Sequence, residues 1–437
     1  MKKMIFRILM IISVAVFLSC GSGNAVTPKQ AQEGIADIIN ASILGIVDGD
    51  KVIIDKDVDL KGKECKIPAG RTLVFKSGMI KNGILSGNMT KIECKGKAFD
   101  RVTIKGSWNV PEISTKLFAD LSYENSLKDV VALANPKVKN RIVIEKGDYK
   151  VRAEEKAKTC VPLCSNTDFI LKGTIRLEPN GLKHYNIIQV KGENINIKGN
   201  GTIIGDKHTH TGNEGEWGMG IILNGAMNAT ISGLTIKDCW GDCIYVGGNS
   251  RNVLIEHCKL DHGRRQGISI TKASGVTIRN CTITNVSGTN PQYAIDVEPN
   301  RRDSVDNIII ENVTVKDCEG GFLVTRGRLK EGAKTPWIGK VVIQNCQVSC
   351  KRKIPVNVKR CEEVKIEKNT LYATGRTAIY VLETGKATVQ NNTASIDGSI
   401  LEQAKNGAKK LIGKGKEPIH VKTLGQSIVK KNKLIER

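Results

Sequence analysis

The side chains best suited to chemistry gather in three places along the chain. Asp238, Trp240, Asp242 and Tyr245 stand together, His262, Arg264, Arg265 and Gln266 follow 24 residues later, and Asp296 and Glu298 come next, with Arg326 and Arg328 beyond. Trp217 and Trp337 flank the set. Aromatic faces stack on sugar rings, and Arg forks bind carboxylate or sulfate through paired hydrogen bonds, so this mixture suits an anionic sugar chain. β-Elimination on such a chain needs a cation to neutralise a uronate carboxyl, a base for the C5 proton and an acid for the leaving oxygen. Arg264, Arg265 or Arg326 fit the first role, His262 or an Arg or Lys of lowered pKa the second, and Tyr245 or Tyr293 the third. A uronate C5-epimerase would use the same abstraction and return the proton to the other face.

The elements that must position these residues are set by a repeat. Seven times between residues 217 and 394 the chain places apolar residues at alternate positions, as in Cys243-Ile244-Tyr245-Val246, Gly267-Ile268-Ser269-Ile270 and Ala294-Ile295-Asp296-Val297. Each such run is followed by a second apolar phrase, beginning at Ile231, Ile255, Ile278, Ile310, Ile343, Ile366 and Val389. The period is 23 or 24 residues wherever no loop intervenes. Short alternating runs are strand signals, and a fixed period above 20 is a solenoid signal. The expected fold is all-β: a right-handed parallel β-helix with a small N-terminal β-module and short capping helices.

Stacked coils lie ~4.8 Å apart, so residues at equivalent repeat positions become neighbours. Asp238 then falls beside His262, and Asp242 beside Gln266. The outward residues Ile222, Tyr245, Ser269, Asp296 and Leu323 form one floor. Long segments after Ile204 (206–218), after Val297 (298–306), after Val324 (325–338) and between Ile283 and Ile295 are expected to wall it, and long loops on a regular scaffold are where function concentrates. Trp240, Arg264 and Arg265 belong to one rim, and Glu298, Arg326 and Arg328 to the other. Hydrolysis with inversion needs two carboxyls roughly 6.5–9.5 Å apart. Asp242 and Asp296, two coils apart, are expected to be too distant, which leaves Asp242 with Asp238.

Two columns of the repeat read as structural. Asn280, Asn312, Asn345 and Asn391 recur two residues after the leading apolar residue, where Asn suits a tight corner, and His257 sits in the same column. Cys258, Cys281 and Cys346 recur one residue further on and read as stacked core residues. Cys160 and Cys164 have the spacing for a disulfide in an oxidising compartment. No cysteine has metal-ligand spacing with histidine, so neither structural zinc nor any other cofactor is expected, and calcium has no support in the sequence.

The first 20 residues read as a targeting segment, with Lys2, Lys3 and Arg7 before an apolar run from Ile8 to Leu18 too short to span a bilayer. The stretch ending Phe17-Leu18-Ser19-Cys20 resembles a bacterial lipoprotein signal, which implies that Cys20 becomes the lipidated terminus of a cell-envelope protein, facing the periplasm or the exterior. Residues 21–110 read as the β-module with a short helix at 27–43, 110–120 as a linker, and 111–437 as the β-helix with a helical cap at 121–134. That cap, followed by the strand at 141–145 and the Gly147 turn, resembles the opening of the pectate-lyase superfamily, in which a helix plugs the first coil. A lysine-rich insertion at 400–424 precedes a last coil at Val429–Leu434. The net charge of +23 falls to +20 without the first 20 residues, a balance that points to a polyanion. Nucleic acid fits poorly, because only 4% of residues are aromatic and the chain reads as exported.

The span from Trp240 to Val246, followed by Arg264 to Ile270, resembles the polygalacturonase family of β-helical hydrolases. The resemblance puts Asp242 on the second Asp of that family's Gly-Asp-Asp motif, Gly241 on the first, Met219 on the Asp one coil earlier, Gln266 where the family has His and Asp296 where it has a substrate-binding Lys. Most of the hydrolytic set is thus replaced. The expectation is an envelope protein acting on a uronic-acid or sulfated polysaccharide by β-elimination, with hydrolysis or glycan binding without cleavage as alternatives.

Overall fold

The computed structural model describes residues 41–327, 337–374, 377–396 and 418–436. Cys20 and the rest of the signal segment, most of the helical pattern at 27–43, Arg328 and most of the lysine-rich insertion lie outside the described residues. The chain divides into two compact units. One holds the residues up to Leu121 with Ala132–Asn135, and the other holds Ser122–Val131 and everything from Pro136 onward.

The first unit is itself wound from parallel strands. Lys51 pairs with Thr72 and Thr72 with Lys91, while Val58 pairs with Ile80 and Ile80 with Phe99. Residues 110–120, expected to be a linker, belong to this unit as the strand Glu112–Ser114 and a 3-10 turn at Thr115–Leu117, which the Ser114 side chain caps by accepting from the Lys116 N–H. Phe118 then bridges to Phe99, and the rings of Phe75, Phe99 and Phe118 pack at 5.5 and 5.4 Å.

The second unit is the expected parallel β-helix. Each full rung supplies three strands, illustrated by Ile244–Gly247, Ser250–Glu256 and Lys259–Asp261, and each strand pairs in parallel with its equivalent in the next rung. Alternation decides which side chains go in. Ile244, Val246, Ile268, Ile270, Ile295 and Val297 are fully buried in the core. Their outward neighbours stack as Ile222, Tyr245, Ser269, Asp296 and Leu323, the floor read from the sequence. The final expected coil is present as Ser427–Lys430 and Lys433–Glu436. The helix spans Ser126–Ala132, shorter than the expected cap, and buries Leu127 and Val130.

The corner column turns the chain through left-handed backbone. His257, Asn280, Asn312, Asn345, Lys368 and Asn391 all have φ between 52° and 57°. Asn tolerates that region better than other side-chain residues, which explains its recurrence, and His257 is a corner residue as expected. The column just beyond it faces the core and satisfies rung carbonyls from inside. The thiols of Cys258, Cys281 and Cys346 lie 3.8 Å from the carbonyl oxygens of Ile231, Ile255 and Ile310. In later rungs Asn369 and Asn392 take over, their Nδ2 atoms donating to Ile343 and Ile366 O at 3.0 Å, and Asn369 Nδ2 also donates to Asn392 Oδ1. Cys160 and Cys164, read as a disulfide pair, are free thiols: Cys160 is buried in the strand Thr159–Leu163, and Cys164 lies beyond it with its sulfur 3.6 Å from Thr167 Oγ1.

Removing one member of the inner ladder leaves buried polar partners unpaired, which costs about 1–3 kcal/mol per group. Asn392→Ala should therefore lower the urea midpoint clearly, whereas Asn391→Gly at the exposed corner should leave it nearly unchanged. Equal midpoints in equilibrium unfolding would refute a structural role for the ladder.

Candidate functional site

The walls of the floor are loops folded along the rungs. The segment 205–216 leads out of Thr202–Ile204, a third-column strand, and into Trp217–Ser232, so it lies before the floor strand and not after one as expected. It reaches down the coil, with Lys207 Nζ donating to Ser287 O at 2.9 Å across 80 residues of sequence. Arg264 Nη1 donates to Gly215 O at 3.0 Å, and its guanidinium lies 3.7 Å over the Trp240 ring. His210 stacks on Trp240 at 3.9 Å. Asp206 holds this imidazole through Nδ1 at 2.8 Å, and also accepts from Asn180 Nδ2 and the Tyr185 hydroxyl. Trp240, 7% exposed, and Arg264 are thereby parts of a loop anchor. Both were expected to meet substrate; here Trp240 is buried between His210 and Arg264, while Arg264 stays half-exposed. Single-sequence reading missed Tyr185, Asp206 and His210 because no periodic signal links them.

Asp238 and His262 do occupy equivalent positions, both in left-handed backbone with φ of 56° and 53°. Their side chains turn to other partners. Asp238 faces His208 Nε2 at 3.2 Å, and His262 Nδ1 meets Asp261 Oδ2 at 2.8 Å. Asp261 is further filled by Thr284 and Asn285. The expected direct Asp238–His262 pair is therefore replaced by these contacts. Tyr245 stands on the floor with its hydroxyl 2.7 Å from Thr271 Oγ1.

The structure concentrates ionisable groups around Asp242 and Asp296. Asp242 opens the floor strand of its rung and reaches forward one rung, where Ser269 Oγ donates to its Oδ2 at 2.7 Å. Gln266, its equivalent, does the same: Gln266 Nε2 donates to Asp296 Oδ2 at 2.9 Å, while Gln266 Oε1 accepts the Tyr293 N–H at 2.9 Å. Ser269 and Asp296 are direct register partners. The Asp242 carboxyl thus sits about one rung, ~4.8 Å, from the level of Asp296, closer than counting coils suggests. Both carboxyls are covered, with Asp242 0% and Asp296 3% exposed, and the Oδ1 atom of each is buried without a hydrogen-bond partner.

Arg265 bridges this pair to the rim, with Nη1 3.5 Å from Asp242 Oδ2 and Nε 3.4 Å from Glu216 Oε2. Burial pushes the Asp242 carboxyl up to about 6, against the opposing pull of Arg265 and the Ser269 hydroxyl. Burial also raises Asp296 well above the usual carboxylate range; the charges of Glu298 and Asp242 add to this and Arg265 opposes it. Glu298, half-buried, is raised by burial as well. Trp217, beside Glu216, is 49% exposed, with the His184 ring 5.8 Å away. Arg326 is half-buried on the far rim, and its carbonyl accepts from Arg360 Nη1 at 2.6 Å. Ser269 and Glu216 were not singled out from the sequence for chemistry. Ser269 was legible only as a floor residue, and Glu216 carried no signal. Among the described residues no group of three or more His, Cys, Asp or Glu is placed to hold a metal ion.

A family model described as "Right handed beta helix region" matches residues 174–331 and 290–413. Two proteins of Bacillus subtilis (strain 168) are similar over part of the chain. The SPbeta prophage-derived uncharacterized protein YorA is 28% identical over 182 residues, 36% of this chain and 31% of that protein. Uncharacterized protein YclG is 32% identical over 163 residues, 33% of this chain and 28% of that protein. The chain spans less than a third of the length of either relative. Among solved structures, a hyperthermoactive exopolygalacturonase from Thermotoga maritima is similar with a TM-score of 0.48 and 16% identity, covering 66% of this chain and 83% of that one. The A-module of the Azotobacter vinelandii mannuronan C-5 epimerase AlgE6 is similar with a TM-score of 0.47 and 14% identity, covering 72% of this chain and 96% of that one.

The buried carboxyl of Asp242 has a pH signature. Its folded value of about 6 lies above the ordinary 3.8, so its neutral form is the one the fold favours. This group's contribution is fully present below pH 3.8 and is lost as pH rises through about 6, a change of roughly 3 kcal/mol. Asp242→Asn cannot ionise and should melt several degrees higher than the parent at pH 7.5, with the gain vanishing at pH 3.5. Thermal unfolding at both pH values decides this, and a variant no more stable at pH 7.5 would mean the carboxylate is solvated.

Proposed function

Starting from a chain that belongs to the right handed beta helix region family, we propose that this protein is a glycoside hydrolase. It cleaves a polysaccharide laid along the floor formed by Tyr245, Ser269, Asp296 and Leu323. The observation that carries this reading is the pair of buried carboxyls with separated roles. Environments that push two neighbouring carboxyls apart assign one as acid and the other as base. Asp296, raised well above the usual range by burial and by the charges of Glu298 and Asp242, is assigned the proton. Gln266 gives that proton an address: its Oε1 is occupied by the Tyr293 N–H, so its Nε2 must donate to Asp296 Oδ2, and the proton sits on Oδ1. Asp242, at about 6 and beside Arg265, is ionised at pH 7.

In the reaction, Asp296 Oδ1 donates its proton to the leaving glycosidic oxygen as the C1–O bond breaks. Asp242 takes a proton from a water whose oxygen forms the new bond to C1. Exchange with solvent then restores both carboxyls. We assign the pair as an inverting acid and base; the anomer first released, read by NMR, decides between this course and the retaining one that a carboxyl separation near one rung would favour. Trp217 offers the sugar a stacking face. The β-elimination set supports the reading less well. His262 is tied to Asp261, Tyr245 to Thr271 and Arg264 to Trp240. A second reading, glycan binding without cleavage, is favoured by one fact: both carboxyls are buried, and Asp242 faces Arg265. The excess of cations supports an acidic polymer as the partner and the Cys20 segment supports an envelope location.

Incubation with a panel of uronic-acid and sulfated polysaccharides should release new reducing ends without the ultraviolet absorbance of an unsaturated uronate. Asp242→Asn and Asp296→Asn should each lose at least a hundredfold in kcat with near-parental KM. For the parent, kcat/KM should rise as pH rises through about 6, because Asp242 must lose its proton. Arg265→Gln removes the cation that holds Asp242 down and should move this limb upward. Unsaturated products would replace hydrolysis with elimination, and tight binding with unchanged polymer length would leave only the binding reading.

A further inference from the structure

Around the carboxyl pair the charges do not balance. With Asp296 the protonated member, Asp242, Glu298 and the rim residue Glu216 are the acidic groups around the Arg265 guanidinium, and Glu216 also feels the charge of Arg264. Burial first, then the charges of Glu298 and Asp242, disfavour ionisation of Asp296, with Arg265 opposing them. The neighbouring cations are already engaged. Arg265 faces Asp242 and Glu216, Arg264 is stacked on Trp240 and bonded to Gly215 O, and Lys353 donates to Asn290 Oδ1 at 3.0 Å and to Pro291 O at 2.5 Å. A sugar carboxylate entering this space would add a further negative charge to a desolvated site and would have to strip one of those cations from its partners.

The hydrogen-bonding capacity points the same way. Asp242 Oδ1 is a buried acceptor with no donor. A sugar hydroxyl against that oxygen supplies the missing donor, whereas a sugar carboxylate placed there brings only more acceptors. We propose that the sugar ring seated over Asp242 and Asp296 is uncharged. The polymer is then cut at a neutral hexose, deoxyhexose or N-acetylhexosamine, even where its other units are acidic. The inference rests on the hydrolase reading for the cut itself, but the preference for a neutral ring is a binding property and is testable without cleavage.

Two measurements on the full chain test it. Wild-type protein and Asp242→Asn are incubated in 18O-labelled water with heteropolysaccharides that alternate acidic and neutral units, and the sugar at each labelled reducing end is identified by mass spectrometry. The expected ends, formed only by the wild type, are neutral sugars; uronic-acid or sulfated ends overturn the proposal. Independently, the intrinsic tryptophan fluorescence is titrated with galactotriose and trigalacturonate, with Trp217→Phe identifying the part of the signal that belongs to Trp217. The neutral trimer should bind at least tenfold more tightly, and Glu298→Gln should narrow that gap by relieving repulsion of the acid. Equal or tighter binding of trigalacturonate overturns the proposal. Absence of any labelled end, with the neutral trimer still preferred, removes the hydrolase reading while the ring preference stands.

Discussion

Parallel pairing of each rung with the next, at ~4.8 Å, is the constraint from which everything else in the β-helix follows. It demands that every strand repeat its in–out alternation in register, because a slip of one residue would turn the apolar set outward. It also demands that carbonyls at the turns find donors inside a water-free core. The chain meets that demand with a column of thiols in the middle rungs and a ladder of carboxamides in the later ones. Left-handed corners at His257, Asn280 and Asn312 keep each turn tight enough for the ladder to continue.

The same stacking builds the site. A side chain at the start of one floor strand reaches the floor residue of the next, so Asp242 meets Ser269 and Gln266 meets Asp296. Two carboxyls are thereby held in a low-dielectric setting with one shared cation, Arg265. Such an arrangement is costly for stability at neutral pH and useful for acid–base chemistry, the balance seen where strained or desolvated groups are kept for function. The loop at 205–216 accounts for the other polar cluster. Its buried Asp206–His210 pair, the stacked Trp240 and Arg264 pin a long segment across several rungs.

Particular residues show how far pattern reading carries. The floor from Ile222 to Leu323 was legible because side chains alternate with period two and the rungs are in register. His257 was legible as a corner residue and Cys258, Cys281 and Cys346 as core, for the same reason. The pairing of Asp238 with His262 failed although the two are equivalent in register. Repeat position places Cα atoms, but rotamers and nearby loops choose partners, and His208 and Asp261 were nearer. Trp240 and Arg264 looked like ligand-facing groups, but the loop at 205–216 covers Trp240 with His210 and binds Arg264 through Gly215 O.

By itself the sequence determined the solenoid, its period, its floor and its corners, since these depend on local alternation and on a repeat that any reader of the chain can count. Only the tertiary structure decided which ionisable groups share an environment. Desolvation and charge coupling depend on what a folded loop covers and on how far a side chain extends into the next rung. Neither distance is written in the spacing of residues along the chain.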